Sequence, residues 1–261
     1  MNSVNRTLYI PLYGKAYVSR KGILLQDQKA EEIWAAEGFP LKGKSASKWL
    51  AYYMGIRSAV FDEWLSDGLN KEENACVLHL GCGMDSRVLR VGTGNHLWYD
   101  VDFPAVISER RKYFSESERY HMVSGDVTDP GWMTVLPEGG RALVVMEGIS
   151  MYLKPQQLRE LTGRLCDRFD RLEILMDCYS LLAAKMSKYK NPINDVGVTE
   201  VFGMDDPTML AQGDLTFVRE VEMTPDKYVE ELKGTERKIF QKLYAGSFSR
   251  KLYRMYEYAK K

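Results

Sequence analysis

Net charge is what this chain lacks first: 36 basic residues face 36 acidic ones, and neither kind gathers in one arm or face. That balance removes the electrostatic case for nucleic acid as the main partner, because phosphate backbones are bound through clustered Lys and Arg. No apolar run approaches the roughly 20 residues needed to cross a bilayer. The opening MNSVNRTLYI carries no long apolar stretch of the kind that directs secretion. We therefore expect no membrane association and a cytoplasmic location. Cysteine is scarce, and Cys76, Cys82, Cys166 and Cys178 form neither a CxxC pair nor a disulfide spacing, so four buried thiols are expected. The three histidines, His79, His96 and His121, share no ligand spacing with each other or with the cysteines, so no metal centre is expected. Internal repeats and low-complexity segments are absent, which excludes a solenoid or a tail.

What is present is enough apolar residue, 45% of 261, to bury a large core. Apolar residues recur at three- and four-residue steps from Gln28 to Ala36 and from Trp49 to Leu65, which predicts amphipathic helices. From Cys76 the pattern changes to short continuous apolar runs that end in Gly or Asp: CVLHL, HLWYDVD, YHMVSGD, ALVVMEG and LEILMDC. Continuous rather than alternating runs suit parallel strands covered by helices on both faces. The expected fold is an α/β doubly wound, mostly parallel sheet in a single domain, with a helical N-terminal segment over 1–73 and an α/β core over 74–261. SLLAAKMSKYKNPINDVG predicts a helix running into a polar loop, LTFVREVEM a further strand, and KLYRMYEYA a last strand or helix.

The sharpest local signal is VLHLGCGMDSR, where an apolar strand runs directly into Gly81 and Gly83. Two glycines let the backbone turn tightly and approach a ligand at the carboxyl end of the first strand, where open α/β sheets bind. A dinucleotide fingerprint needs a third glycine, and Ser86 holds that position. Asp85 adds negative charge that repels a pyrophosphate and suits a cationic ligand such as a sulfonium.

About twenty residues after the first glycine, WYDVDFP ends the second run with Asp100 and Asp102. An acid there accepts from two ribose hydroxyls, whether of NAD or of S-adenosylmethionine. The two acids alternate along a strand and so share a face, leaving either as the ligand. The competing role for Asp102 is to cap the following helix, with Pro104 in its first turn. Asp126, in GDVTDP, and Glu147, in MEGISMYL, end the third and fourth runs and should face the same crevice. Acids converging there would repel one another unless a ligand supplied hydroxyls, an amine and positive charge, as S-adenosylmethionine does.

Taken together, LGCGMDSR, YDVDFP, GDVTD and MEGISMYL resemble the ordered motifs of the leucine carboxyl methyltransferase family, which includes tetracenomycin-type polyketide O-methyltransferases. TLYIPLYGKAYVSRKGILLQDQKAEEI resembles the family's lead segment, and the likeness is to its short bacterial members. It implies a Rossmann-like methyltransferase sheet and S-adenosyl-L-methionine as cofactor. By the same resemblance Arg57 pairs with the methionine carboxylate. Gly81 lets the backbone meet the cofactor, and Asp102 binds ribose. Asp126 and Val127 hold adenine, Glu147 lies at the amino-acid end, and Lys15 stands where relatives carry a basic residue. His79 replaces the acid that many other methyltransferases place two residues before the first glycine, and a neutral core histidine is expected there.

The chain shows no added region for a large protein partner, so a small-molecule acceptor is expected. A carboxylate acceptor is already ionised near neutral pH, whereas a phenol must lose a proton. No base is evident in the sequence, which favours a carboxylate. Such an acceptor needs a cationic anchor, for which Arg20, Lys15 and Arg87 are candidates. The Tyr-rich end from Lys242 to Tyr258 either lines an aromatic acceptor pocket or packs as an amphipathic element. Three alternatives stand beside small-molecule O-methylation: carboxyl methylation of a protein C-terminus, a non-catalytic S-adenosylmethionine-binding protein, and an NAD-dependent oxidoreductase. The missing third glycine and the lack of a paired Tyr-x-x-x-Lys with a nearby Ser oppose the last.

Overall fold

The five apolar runs form five parallel strands side by side: β1 (Cys76–Leu80), β2 (Leu97–Asp102), β3 (Tyr120–Ser124), β4 (Arg141–Met146) and β5 (Arg171–Tyr179). The computed structural model describes residues 8–37, 41, 43–190 and 200–261. Two further strands, β6 (Thr216–Val221) and β7 (Tyr253–Lys260), complete a seven-stranded sheet in the order β3-β2-β1-β4-β5-β7-β6. β7 runs antiparallel to both of its neighbours, so the sheet is mixed but mostly parallel. The final Tyr-rich stretch resolves into a short helix, Ser247–Leu252, followed by β7. Most of the polar loop expected after SLLAAKMSKYK lies outside the described residues.

Alternation along each central strand divides the core in two. Val77, Leu143, Val145 and Leu175 face one side, joined there by Phe61, Leu65 and Phe240. Leu78, Leu80, Val144, Met146 and Ile174 face the other and meet Leu158, Leu161 and Leu165 of the helix Pro155–Arg168. Both faces are covered, and this is why the strands read as unbroken apolar runs.

The front of the molecule is helical: α1 (Tyr9–Arg20), α2 (Gln28–Glu37) and the 22-residue α3 (Lys48–Leu69), whose N-terminus is capped by the Ser47 hydroxyl accepting from the Trp49 N–H. α1 crosses α3 closely at Gly14, where a side-chain Cβ would fall 2.6 Å from Met54 Cβ. That approach brings Lys15 on α1 and Arg57 on α3 over the carboxyl ends of β1 and β4. The order in which strands are added reverses between the parallel neighbours β1 and β4, and such a switch point opens a crevice outside the strand ends. No helix among the described residues is long and apolar enough to cross a membrane.

Candidate active site

A cavity of about 450 Å³ lies at this switch point. The glycine loop forms its floor. Gly81 and Gly83 adopt φ of +67° and +53°, the left-handed region that glycine enters without strain. A Cβ on Gly81 would fall 2.0 Å from Ile149 Cγ2, so packing by the chain itself demands glycine there. Gly83 is looser, with Leu8 Cβ at 3.4 Å from the corresponding point.

Asp102 fastens this loop. Its Oδ2 accepts from the Gly83 N–H at 2.7 Å and its Oδ1 from the Phe103 N–H at 2.7 Å. Burial raises its carboxyl, and these two N–H donors pull it back. Asp102 does not cap the next helix, Pro104–Arg110: the N-cap is Phe103, one residue later, with no side-chain cap. Asp100 shares Asp102's side of β2 but is one step deeper and lines no part of the cavity. Its carboxylate is consumed by Arg110, by Trp98 Nε1 at 2.8 Å and by the Tyr120 hydroxyl at 2.7 Å. Burial opposes its charge, but Arg110 and His79 hold it down at about 2. His79 is buried, with Nδ1 3.3 Å from Asp100 and Nε2 3.2 Å from Arg87 Nη1. An arginine only donates, so Nε2 is the acceptor in that contact, while Nδ1 makes no hydrogen bond among the described residues.

At one end of the cavity, Asp126 is exposed, and its Oδ1 accepts from both the N–H and the hydroxyl of Thr128, at 2.9 and 2.8 Å. Val127 lies beside it, half-buried in the cavity wall. At the other end the acids do not repel as the sequence suggested, because the chain supplies its own cations. Lys15 Nζ is 2.8 Å from Asp85 and 3.9 Å from Glu147. Arg57 reaches Glu147 at 2.9 Å and Asp177 at 3.0 Å. Arg87, fully buried, binds Glu147 and, at 2.6 Å, Asp62; Arg90 reaches Asp85 at 2.9 Å. Burial would raise the Glu147 carboxyl, yet Lys15, Arg57 and Arg87 bring it to about 2. Asp85 is likewise held far below the usual range by Arg90, Lys15 and Arg87 against its burial.

Of the three candidate anchors, only Lys15 lines the cavity. Arg20 stands half-exposed beside Glu31 at 3.7 Å, and Arg87 is locked beneath the surface. Cys166 is only partly buried, unlike the other three thiols, because it sits on the helix covering the sheet rather than in a strand or the glycine loop.

Asp177 and Tyr253, with the neighbouring Tyr53 and Tyr179, are not singled out by the sequence. Asp177, near the end of LEILMDC, is fully buried, accepts from the Gly148 N–H at 2.7 Å and pairs with Arg57. It bore the same signal as Glu147, an acid closing an apolar run. Tyr253 had only its place in a Tyr-rich end. There the structure divides the roles: Tyr256 and Tyr258 are core, whereas Tyr253 lines the cavity. Its hydroxyl bonds to Asp177 and accepts from Arg57 Nη1 at 2.8 Å. Its ring stacks on Tyr53 with centroids 6.0 Å apart and meets Tyr179 edge-on at 4.9 Å. These three rings form one wall.

A pyrophosphate has no place here. The helix after the loop, Arg87–Val91, has its first N–H taken at 3.0 Å by Asp85 Oδ1, a carboxylate where a dinucleotide would bring phosphate. Among the described residues no group of three or more His, Cys, Asp or Glu side chains is arranged to hold a metal ion.

The chain is 29% identical over 213 residues to the tetracenomycin polyketide synthesis O-methyltransferase TcmP of Streptomyces glaucescens, a match covering 80% of this chain and 78% of that protein. It is 28% identical over 234 residues to the S-adenosyl-L-methionine-dependent methyltransferase dpfgK of Gibberella zeae, with the same two coverages. In fold it is similar to magnesium protoporphyrin IX methyltransferase (ChlM) from Synechocystis PCC 6803 with bound SAH. There the TM-score is 0.53 at 11% identity, over 88% of this chain and 93% of that one. The profile of the leucine carboxyl methyltransferase family matches residues 9–166, which span α1 and α3, the glycine loop and the ends of β2, β3 and β4. The chain belongs to the leucine carboxyl methyltransferase family, and with it to the S-adenosylmethionine-dependent methyltransferases.

Proposed function

We propose that residues 1–261 act as one methyltransferase unit that moves a methyl group from S-adenosylmethionine to an oxygen of a small molecule, a carboxylate or a hydroxyl. One observation carries this. One cavity is lined by Asp126 and Val127, by the glycine loop and Glu147, and by Tyr53, Tyr179 and Tyr253. Its volume falls in the range of small-molecule sites, roughly 300 to 1,000 Å³. A protein that only stored the cofactor would have no use for the tyrosine end. The Streptomyces glaucescens relative, named for O-methylation in polyketide synthesis, supports a small-molecule acceptor.

The residues present suit this cofactor, which carries one positive charge overall. Five carboxylates, Asp27, Asp62, Asp85, Glu147 and Asp177, surround the four cations Lys15, Arg57, Arg87 and Arg90, an excess that favours a cationic ligand. Asp102 takes the ribose hydroxyls, and Asp126 with Val127 takes adenine. Arg57 and Lys15 take the methionine carboxylate, and Glu147 the ammonium. Gly81 and Gly83 let the backbone lie flat beneath the nucleoside. When bound, the cofactor would supply an electrophilic methyl group to the acceptor oxygen and keep the leaving electron pair on its sulfur. The chain's own task is to hold the reacting atoms within about 3 to 3.5 Å and keep water out.

Calorimetric titration with S-adenosylmethionine, S-adenosylhomocysteine and NAD tests this. The first two should bind in the micromolar range and NAD should not; preference for NAD sinks the proposal.

A further inference from the structure

One buried carboxylate touches both sides of the cofactor's proposed amino-acid site. Asp177, near the end of β5, is fully buried and lines no part of the cavity, whereas Arg57, Glu147 and Gly148 all line it. Its Oδ1 accepts from the N–H of Gly148, the residue directly after Glu147, at 2.7 Å. Its Oδ2 accepts from Arg57 Nη1 at 3.0 Å and from the Tyr253 hydroxyl. That hydroxyl in turn accepts from the same Nη1 at 2.8 Å, so two acceptors engage one corner of the guanidinium.

The guanidinium also lies close against the backbone after Glu147. A Cβ on Gly148, whose φ is +74°, would fall 3.3 Å from Arg57 Nη1 and 3.4 Å from Nη2. Glu147 holds the other edge of the fork, with Oε1 3.1 Å from Nε and 2.9 Å from Nη2. That hold is open to competition, because Glu147 lines the cavity and the ammonium assigned to it would draw on the same carboxylate. Asp177 lines no cavity wall, so its hold on Nη1 does not compete with a ligand.

We propose that Asp177 is the positioning residue for the cofactor's amino-acid end: one oxygen fixes the Arg57 fork and the other fixes the turn that carries Glu147. This rests on the methyltransferase function proposed above. The spacing between the group for the methionine carboxylate and the group for its ammonium is then set before the cofactor arrives. An arginine binds a carboxylate best when its planar fork is already oriented, and its long stem does not orient it unaided. Stability alone is a poor reason for such an arrangement, since a buried ion pair returns little net energy after desolvation. Burial does raise the Asp177 carboxyl, and Arg57, then the Tyr253 hydroxyl and the Gly148 N–H, pull it back. The nucleoside contacts are carried elsewhere, Asp102 at the end of β2 and Asp126 with Val127 after β3, so only a ligand with an amino-acid part should register the loss of Asp177.

The test titrates the full chain calorimetrically with S-adenosylhomocysteine and with 5′-methylthioadenosine, the latter up to millimolar concentration. The second ligand keeps the nucleoside and the thioether but has neither carboxylate nor ammonium. Asp177→Asn keeps the shape and an acceptor for the Gly148 N–H while removing the charge. Its affinity for S-adenosylhomocysteine should fall at least about tenfold, the scale of a hydrogen bond to a charged group. Affinity for 5′-methylthioadenosine should stay within about twofold, since its contacts lie at a separate part of the site. Tyr253→Phe keeps the ring and removes the hydroxyl shared by Arg57 and Asp177, and should show the same selectivity with a loss of about fivefold. It decides alone if Asp177→Asn does not fold. Equal losses for the two ligands would make Asp177 a purely structural residue, and unchanged S-adenosylhomocysteine affinity in folded variants would leave Arg57 oriented by Glu147; either result overturns the proposal. Wild-type protein that does not bind S-adenosylhomocysteine counts instead against the methyltransferase function.

Discussion

Arg57 lies 2.9 Å from Glu147 with both side chains almost wholly buried, and the two residues stand 90 positions apart in the chain. The pair ties the front helix α3 to the end of β4. Arg57→Ala removes one partner of a buried pair and leaves Asp177 short of its cation as well, so stability should fall by about 3 kcal/mol. If Arg57 also takes the cofactor's carboxylate, affinity for S-adenosylmethionine should fall by about 2 to 4 kcal/mol. Urea unfolding and calorimetry separate the two effects, and unchanged affinity in folded protein removes Arg57 from the cofactor contacts.

The two glycines of the loop should respond differently. Gly81→Ala places a Cβ 2.0 Å from Ile149 Cγ2 at a positive φ, and should cost about 2 to 5 kcal/mol from strain and overpacking together. Gly83→Ala meets only Leu8 at 3.4 Å, so the φ penalty of about 1 to 2 kcal/mol should be the whole effect. Equal losses in thermal unfolding would show that Ile149 yields freely. Adding Ile149→Ala to Gly81→Ala should restore part of the difference.

Acid stability should depend on Glu147. Its carboxyl is depressed in the folded state, from 4.5 to about 2. The stability it contributes is therefore complete above about pH 4.5 and lost as pH falls towards 2. A shift of that size corresponds to about 3 kcal/mol. Asp102 and Asp177 run the other way, since burial raises both. Urea midpoints measured from neutral pH down to about pH 3 should fall steeply in the wild type and more gently in Glu147→Gln, which starts lower because Arg57, Arg87 and Lys15 lose a partner. An acid limb of the same slope in both proteins contradicts the assignment.

Asp102→Asn keeps an acceptor oxygen but gives up the charge that strengthens hydrogen bonds to ribose. We expect S-adenosylmethionine affinity to drop about tenfold, roughly 1.4 kcal/mol, with a smaller change in unfolding midpoint. A lowered midpoint with intact affinity would assign Asp102 solely to fastening the Gly83 N–H.

Much of the fold was already present in the sequence, because burial on both faces of a parallel sheet leaves unbroken apolar runs, and these coincide with β1 to β5. The order of Gly81, Asp102, Asp126 and Glu147 at successive strand ends was legible for the same reason: each strand carries its own terminus. Sequence alone did not decide which charges face the cavity. Asp100 and Asp102 have identical local patterns, yet one depth step gives the first to Arg110 and the second to the loop. Arg20, Arg87 and Lys15 are equal candidates in the sequence; the crossing of α1 with α3 at Gly14 sets Lys15 over the strand ends, while Arg20 stays half-exposed beside Glu31 and Arg87 is buried. Asp177 and Tyr253 meet across 76 residues because β7 inserts antiparallel beside β5, and no local pattern encodes that pairing. Strand ends are a property of segments, whereas partners for buried charge are set by what the completed fold brings within hydrogen-bonding distance.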